Sequence, residues 1–599
     1  MNKIHIVLRP LTKVENEKLV FNLEVNDRVI SVDESYLEFS KVELIEVPTQ
    51  VKKDILDNCF AEVLNFPTSK LDGVEVKERF KFKEINYWYY FKFSVFNTYF
   101  PVEFDSQIIE YVLSESSFLV EDEFIIYSLN NLNREKSVCI TPASKKKKSG
   151  VLNLIGFSVV FFFRFLIGFF QSIFIFNKTH VFLKWPFVKS KIINPDDITK
   201  KIYGNIIVEY ATLEMNKNKK FAFVSDVFLP NKSGEKYKLN QVINRYTMKS
   251  FYLEFFLVIS LFNPFFWLKF RKFYQKMKYA FLVKDKESKS NVIFKIFNSK
   301  KKMIYVLFWR EESFKTLLFF KKKLKTLGTV SEYDFNNASL YRAALVKGLK
   351  VVAVQHGTVH DRHMHYVFTQ NDKDSVLIPT STIVWGDYWK EVLKKNSIYT
   401  DDNLEVLGQL RTDVIHKIQD KYPASSDFSI LYVSSGIELG LDTRGMMIRE
   451  VMKLCNLFPD IRFFVRPHPN EFDAEEYYSK IANEYGVTNY TLDTDDLYVS
   501  LNRHQVVMIY DSTVGGEAIY FDKTVIIMDY LDNDKSNYSV YSSIFHKGKN
   551  VNEIAALIAK IKNKELISDK EERAKFIKEY VYKIDGETTK RYVDFIEKS

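Results

Sequence analysis

The sequence predicts an α/β protein built on open, mainly parallel sheets behind an N-terminal accessory unit. Three observations carry that expectation. The chain has 599 residues, more than one hydrophobic core organises. From about residue 300 short apolar runs alternate with helical stretches. Those runs are near-continuous in Val and Ile, as strands buried on both faces are.

Composition bounds the function classes. Hydrophobic residues make up 46% and aromatics 16%, with 53 Phe and 35 Tyr, so a large core is attainable. The net charge of +10, from 86 Lys+Arg against 76 Asp+Glu, is modest and locally concentrated. It favours an anionic membrane surface or anionic small substrates. No zinc-finger spacing or nucleic-acid-type basic helix is present, so no nucleic-acid partner is expected. Cys59, Cys139 and Cys455 are too few and too far apart for a disulfide framework or thiolate metal site. The start MNKIHIVLRP lacks the apolar core of a signal peptide, which predicts a cytoplasmic protein.

Residues 1–140 alternate short apolar and polar runs, such as KIHIVLRP, VFNLEVND and YWYYFKFSVFNTYF. These suit strands, with a helical piece near 106–115, and read as an accessory α+β domain. The basic linker TPASKKKKSG (141–150) leads into VLNLIGFSVVFFFRFLIGFFQSIFIF (151–176), long enough to span a bilayer. Arg164 near its middle costs roughly 2.5–3.5 kcal/mol on insertion scales. A second apolar segment, YLEFFLVISLFNPFFWLKF (252–270), contains Glu254 and Pro264 and runs into RKFYQKMK. Basic residues flank both segments: Lys145–Lys148, then Lys178, Lys184 and Lys189, then Arg271–Lys278. A spanning pair places its cations mainly on one side, so two interfacial segments held by anionic lipid are the favoured reading. A hairpin through the membrane and a pair of buried core helices are the alternatives.

Further on, KMIYVLFWR, LKVVAVQHG, STIVWGDYW, LEVLGQLRTD, FSILYVSSG, IRFFVRPHP, HQVVMIYDST and DKTVIIMDY read as strands. SLYRAALVKG, TRGMMIREVMKLCNLF and EEYYSKIANEYG read as the helices between them. Polar residues gather at the C-terminal strand ends, where open α/β sheets bind ligands. No G-x-G-x-x-G or Walker loop is present, which disfavours a dinucleotide or P-loop enzyme. The tail reads as closing helices.

Three strand ends carry the candidate chemistry. At RPHP, Arg466 and His468 suit phosphate oxygens, or mark an exposed turn. At YDSTVGGEA, Ser512 and Thr513 precede a Gly-rich helix start, an anion site in principle or an ordinary N-cap. Glu517, one turn in, is placed to accept from ribose hydroxyls. At YVSSG, Ser434 and Ser435 cradle the same phosphates or form a plain turn.

The order QHG, VWG, VLGQLRTD, SSG, RPHP, DSTVGGEA and KTVI resembles the GT-B glycosyltransferases of bacterial surface and capsular polysaccharide synthesis. These are related in pattern to CDP-glycerol glycerophosphotransferases and bacterial polysialyltransferases. The likeness covers roughly residues 300–540. It implies two facing Rossmann-like domains, and the basic-flanked apolar segments add membrane-interface helices beside them. The implied division is an accessory domain over 1–140, a linker and interface segment over 141–176, and an acceptor domain over 177–375 with an insertion at 250–280. A nucleotide-donor domain over 376–540 and C-terminal helices over 541–599 follow. The resemblance further implies Arg466, His468, Ser512 and Thr513 at the donor phosphates, Glu517 at the ribose, and no cofactor or metal.

In glycerophosphotransferases a similar Trp-His-Gly-Thr-Pro element supplies a histidine described as general base. Here His356 takes that place, with Gln355 for the tryptophan and Val359 for the proline, so substrate identity does not carry across. A near-neutral imidazole suits the task. Polysialyltransferases use an acidic pair before glycine instead, for which Glu332, Asp334 and Glu438 are the available substitutes. His360 is a further acceptor-side candidate. For His360, His363 and His365 three readings stay open: a zinc site with Asp361, an acceptor or phosphate contact, and a solvated loop.

The implied function is transfer of a sugar from a nucleotide-sugar donor to a lipid-linked or growing surface glycan at the cytoplasmic face of the plasma membrane. Transfer of glycerol or ribitol phosphate from a CDP-activated donor is the second reading. A UDP-GlcNAc 2-epimerase shares the fold and an Asp-Ser-Gly-Gly-like loop, but has no use for the apolar segments. A non-catalytic scaffold of a polysaccharide assembly complex is the last alternative.

Overall fold

The computed structural model describes residues 3–8, 28–32, 43–45, 47–115, 123–127, 137–140, 151–174, 178–184, 190–204, 207–225, 250–330, 334–435, 443–468, 471, 473–510, 512–530 and 538–599. Two parallel sheets organise the molecule. The first runs, edge to edge, through 250–252, 221–225, 180–184, 326–330, 350–354, 381–384 and 404–406. The second runs through 490–492, 462–466, 429–433, 506–509, 524–528 and 545–548. Every pairing in both is parallel. In each, the third, second and first strands by chain order are followed by the fourth, fifth and sixth, the doubly wound order with its ligand crevice at the reversal. Two such units in one chain make the GT-B architecture.

The first sheet includes Ser381–Val384 and Leu404–Val406. The boundary expected at 375/376 therefore cuts that sheet, and the passage to the second sheet falls between 406 and 429. The C-terminal helices tie the two together, with Phe576 packed on Phe545 of the second sheet at 5.2 Å between ring centroids. Trp389 donates its indole N–H to the Tyr580 carbonyl at 2.8 Å, and the Tyr592 hydroxyl donates to the Gly408 carbonyl at 2.7 Å. Asp413 accepts from the backbone N–H of Thr588 and Thr589 at 2.9 and 2.7 Å. A Cβ at Gly386 would lie 2.1 Å from the Glu579 carbonyl, so the glycine of VWG is there to let the helix Lys570–Val581 approach.

The accessory unit is α/β, with a parallel five-stranded sheet in the order 43–44, 28–31, 3–7, 123–127, 137–140. Its aromatic run departs from expectation. YWYYFKFSVFNTYF forms a short 3-10 turn, Tyr87–Tyr90, and then the helix Lys92–Glu115. Buried Lys92, Val95, Tyr99, Phe104, Ile108 and Val112 recur every three to five positions, the helical period. The same correction applies to KMIYVLFWR, which lies in the helix Lys301–Phe320, not in a strand. One hydrophobic core runs from Ile4 and Trp88 through Phe297 and Phe308 to Leu327 and Val351. The accessory unit thus shares its core with the first sheet. Tyr87 and Tyr90 fix the junction by donating to the two oxygens of the buried Glu311, each at 2.7 Å.

The apolar segment 151–176 contains the helix Val151–Phe174. The second segment breaks into Glu254–Leu261 and Pro264–Ala280, where proline starts a helix that Asn263 caps by accepting from the Phe265 N–H at 3.0 Å. Among the described residues no helix is long and apolar enough to cross a membrane.

Candidate functional site

A cavity of about 280 Å³ lies where the C-terminal edges of the two sheets meet. Each half contributes to its wall. From the first come Gln355 and His356, immediately after the strand Lys350–Val354, and Gln409 and Arg411, just beyond Leu404–Val406. From the second come His468, Thr513 and Glu517, and the C-terminal helix adds Tyr592. Four sequence candidates, His356, His468, Thr513 and Glu517, therefore converge on one space.

Gln355 sets the turn that presents His356. Its side-chain amide donates to the Gly357 carbonyl at 2.8 Å, and its amide oxygen accepts from the Trp385 N–H at 2.9 Å. The QHG turn is thereby fastened to VWG on the neighbouring strand. His356 is half-buried, with its Nδ1 3.5 Å from the Tyr366 hydroxyl. Burial, and then the proximity of His363, push its pKa down to about 3. At neutral pH its imidazole is uncharged and holds a lone pair for a proton.

Arg411 is the main site residue that sequence reasoning missed. Its Nη1 lies 3.2 and 3.1 Å from the two Glu517 oxygens, with both side chains largely buried. Its guanidinium sits 4.4 Å from the Tyr498 ring centroid. Burial alone would lower the Arg411 pKa, and Glu517 together with Tyr498, Asp496 and Tyr210 more than reverses that. The only sequence signal was its place in QLRTD, directly after a strand and a glycine. Glu517 is therefore the partner of a cation on the cavity wall. The helix that carries it spans Val514–Ile519, with the Gly pair in its first turn.

The remaining candidates sit elsewhere. Arg466 turns aside, with its Nη1 donating to Asp493 at 2.6 Å and to the Asp495 carbonyl at 3.0 Å. Ser512 accepts from the Val514 N–H at 3.3 Å, and Ser434 donates to Glu471 at 2.5 Å. Neither serine, nor Ser435, lines the cavity. Asp334 caps the helix Phe335–Val346 by accepting from Asn336 and Asn337 at 3.0 and 3.1 Å. Glu332 and Glu438 lie outside the described residues.

Glu471 is a second residue that the sequence reading passed over. Its wholly buried carboxylate accepts from the His468 N–H at 3.0 Å, from Ser434 and from the Tyr478 hydroxyl, and pairs with Arg444 Nε at 3.0 Å. It locks the RPHP turn onto the SSG turn, and so fixes the backbone that presents His468. Its signal was a carboxylate three residues beyond the histidine.

The histidine-rich stretch packs against the accessory unit. His363 and His365 are half-buried, and His365 stacks on Phe93 of that unit at 3.5 Å between centroids. Arg362 donates to Asp57 at 2.9 Å. The half-buried His360 accepts from the Arg362 N–H at 3.2 Å through Nδ1, a local turn contact away from the cavity. Burial first, then the neighbouring imidazoles, lowers the pKa of His363, to about 3, and of His365. Among the described residues no group of three or more His, Cys, Asp or Glu is placed to hold a metal ion.

The chain matches no protein-family model, and no curated protein matches it. Solved structures with a similar course do exist. The UDP-GlcNAc 2-epimerase of Neisseria meningitidis bound to UDP-GlcNAc has 11% identity and a TM-score of 0.44, over 70% of this chain and 100% of that one. The Methanocaldococcus jannaschii epimerase in complex with UDP-GlcNAc and UDP has 12% identity and a TM-score of 0.41, over 70% and 100%. The wall teichoic acid polymerase TagF has 11% identity and a TM-score of 0.40, over 75% and 97%.

Proposed function

We propose that this protein is a membrane-associated glycosyltransferase that moves a sugar from a nucleotide-sugar donor to a lipid-linked or growing surface glycan. The observation that carries the reading is the single cavity joining His356 of the first sheet to His468, Thr513 and Glu517 of the second. The donor's diphosphate is met by His468, Arg411 and the Thr513 hydroxyl, charge-assisted contacts that require no metal. Glu517 accepts from the ribose hydroxyls while keeping Arg411 aimed at the phosphates. The acceptor hydroxyl lies against His356, whose imidazole takes its proton as the oxygen bonds to the anomeric carbon and the nucleoside diphosphate departs.

His356 by itself is a weak base, with a pKa of about 3. A bound donor dianion favours the imidazolium and raises that value, so the base strengthens when the donor is in place. Acid–base help of this kind is worth roughly 10²–10⁴-fold in rate.

The test is incubation of detergent-solubilised protein with UDP-, GDP- and CMP-sugars and CDP-glycerol, following the released nucleotide and the labelled acceptor. Sugar incorporation with release of the matching nucleotide supports the reading. Incorporation of glycerol phosphate with release of CMP would put the second transferase reading first, for which the His356-Gly357-Thr358 element speaks. Conversion of UDP-GlcNAc to its 2-epimer without incorporation would replace both. Nucleotide binding with no turnover by any donor would favour a scaffold.

A further inference from the structure

Away from the cavity, the helix Val151–Phe174 packs on the helical insert around one buried ion pair, and both expose large apolar side chains beside it. Arg164, which by sequence weighs against membrane insertion, points inward. Its Nε and Nη2 donate to the Glu254 carboxylate, the latter at 3.3 Å, and its guanidinium lies 3.9 Å from the Tyr252 ring centroid. The two charged side chains are 4% and 1% exposed. Gly168 lets the helices approach closely, since a Cβ there would meet Phe255 Cβ at 3.0 Å. The Phe165 and Phe169 rings pack on Phe255 at 5.7 and 5.6 Å.

What faces outward is unbroken hydrocarbon. Between residues 161 and 170 the exposed positions are Phe162, Phe163, Leu166, Ile167, Phe169 and Phe170. The turn and helix after Leu261 continue the pattern with Phe262 at 81%, Phe265 at 69%, Trp267 at 51% and Leu268 at 60% exposure. Phe319 and Phe320 are exposed too. They stand beside the end of the first helix, because Lys321 donates to the Ser172 carbonyl at 2.7 Å. Apolar exposure on this scale marks an interaction surface. Its flank is basic: Pro264–Ala280 carries Lys269, Arg271, Lys272, Lys276 and Lys278 and no carboxylate, and Lys322 and Lys323 are exposed beside Phe320.

We infer that this surface docks on an anionic lipid bilayer and inserts into one leaflet. The cations decide the occupant. A two-fold contact with a second copy would set each patch against its own image and bring the basic flanks together, whereas anionic headgroups neutralise them. Exposed Trp267, Tyr274 and Tyr279 are side-chain types that settle at headgroup depth. With Arg164 and Glu254 paired against the protein, residues 161–170 of the first helix offer lipid one face only, the monotopic arrangement. The surface shares no residue with the cavity, so it stands or falls apart from the transfer reading.

The experiment is vesicle flotation of the full chain, using phosphatidylcholine alone or mixed with phosphatidylglycerol. Two variants accompany it: Phe262→Ser/Phe265→Ser/Leu268→Ser, and Arg271→Glu/Lys272→Glu/Lys276→Glu. All six positions are exposed, so circular dichroism stays that of the wild type. Binding to the anionic vesicles should be on the order of a hundredfold tighter than to neutral ones and should weaken with salt. Both variants should lose it. Equal binding to the two lipids, or unchanged binding by both variants, overturns the inference. So does lipid-free self-association dissolved by the serine variant, which would assign the surface to a second copy. Proteolytic access to the chain from both sides of sealed vesicles would overturn it in favour of a spanning hairpin.

Discussion

Replacing Glu471 by glutamine keeps the shape of the RPHP–SSG junction and removes its charge. The carboxylate is wholly buried, and Arg444, paired with it, is 8% exposed. Removing one member of such a buried pair costs about 3–5 kcal/mol when the other is left alone. Here Arg444 keeps Asp473 at 2.9 Å, a half-solvated partner, which argues for the lower end, about 3 kcal/mol. Glutamine also turns an N–H₂ group towards at least one of the donors that the second carboxylate oxygen served. The His468 N–H and the Ser434 hydroxyl share Oε1, so one misplaced amide releases both turns. Denaturant unfolding measures the stability term. Nucleotide titration measures the positional one, for which at least about a tenfold loss of affinity is expected, the equivalent of one 1.4 kcal/mol contact. Glu471→Gln with the full stability loss and unchanged nucleotide affinity would refute the positioning role and leave Glu471 a structural residue. A stability loss below about 1 kcal/mol, the value of an exposed pair, would refute the buried network itself.

Three further outcomes follow from the same geometry. His356→Ala should lower turnover by roughly 10²–10⁴-fold while leaving nucleotide affinity near that of the wild type; an equal fall in both would place His356 on the donor. Arg164→Leu or Glu254→Leu alone should destabilise by about 3 kcal/mol or more, and the double variant should recover most of it, because a buried pair replaced by apolar groups is close to neutral; denaturation midpoints of the three proteins check this. His356 and His363 have folded pKa values of about 3 against 6.5 for an ordinary imidazole. Below pH 6.5 the unfolded chain takes up protons that the folded one refuses, so stability is complete above that pH and falls down to about pH 3. Each group contributes at most about 1.4 kcal/mol per pH unit, and unfolding midpoints unchanged between pH 7 and pH 5 would contradict the burial of these histidines.

The parallel sheets were legible because their strands are unbroken apolar runs with polar ends. LKVVAVQHG and HQVVMIYDST each end where the cavity begins. KMIYVLFWR was misread because a nine-residue apolar window fits a strand and a buried helix alike. Over the full twenty residues, buried Ile304, Leu307, Phe308, Glu311, Phe314 and Leu318 show the helical period. Four of the twelve residues lining the cavity were legible from strand ends alone, since doubly wound sheets bring those ends to one edge. Pairings across long stretches of chain were not. Nothing near Arg466 signals Asp493, 27 residues on, or that the guanidinium is thereby turned from the cavity. Arg164 and Glu254 each count against burial when read separately, and they meet across 90 residues.

The most direct test of the central claim, a nucleotide site shared between the two sheets, is thermal shift of detergent-solubilised protein against CDP, CMP, UDP, GDP and ADP, for the wild type and His468→Ala. One nucleotide should stabilise the wild type and fail on the variant, at equal unliganded melting temperatures. A folded wild type that no member of the panel stabilises would contradict the account.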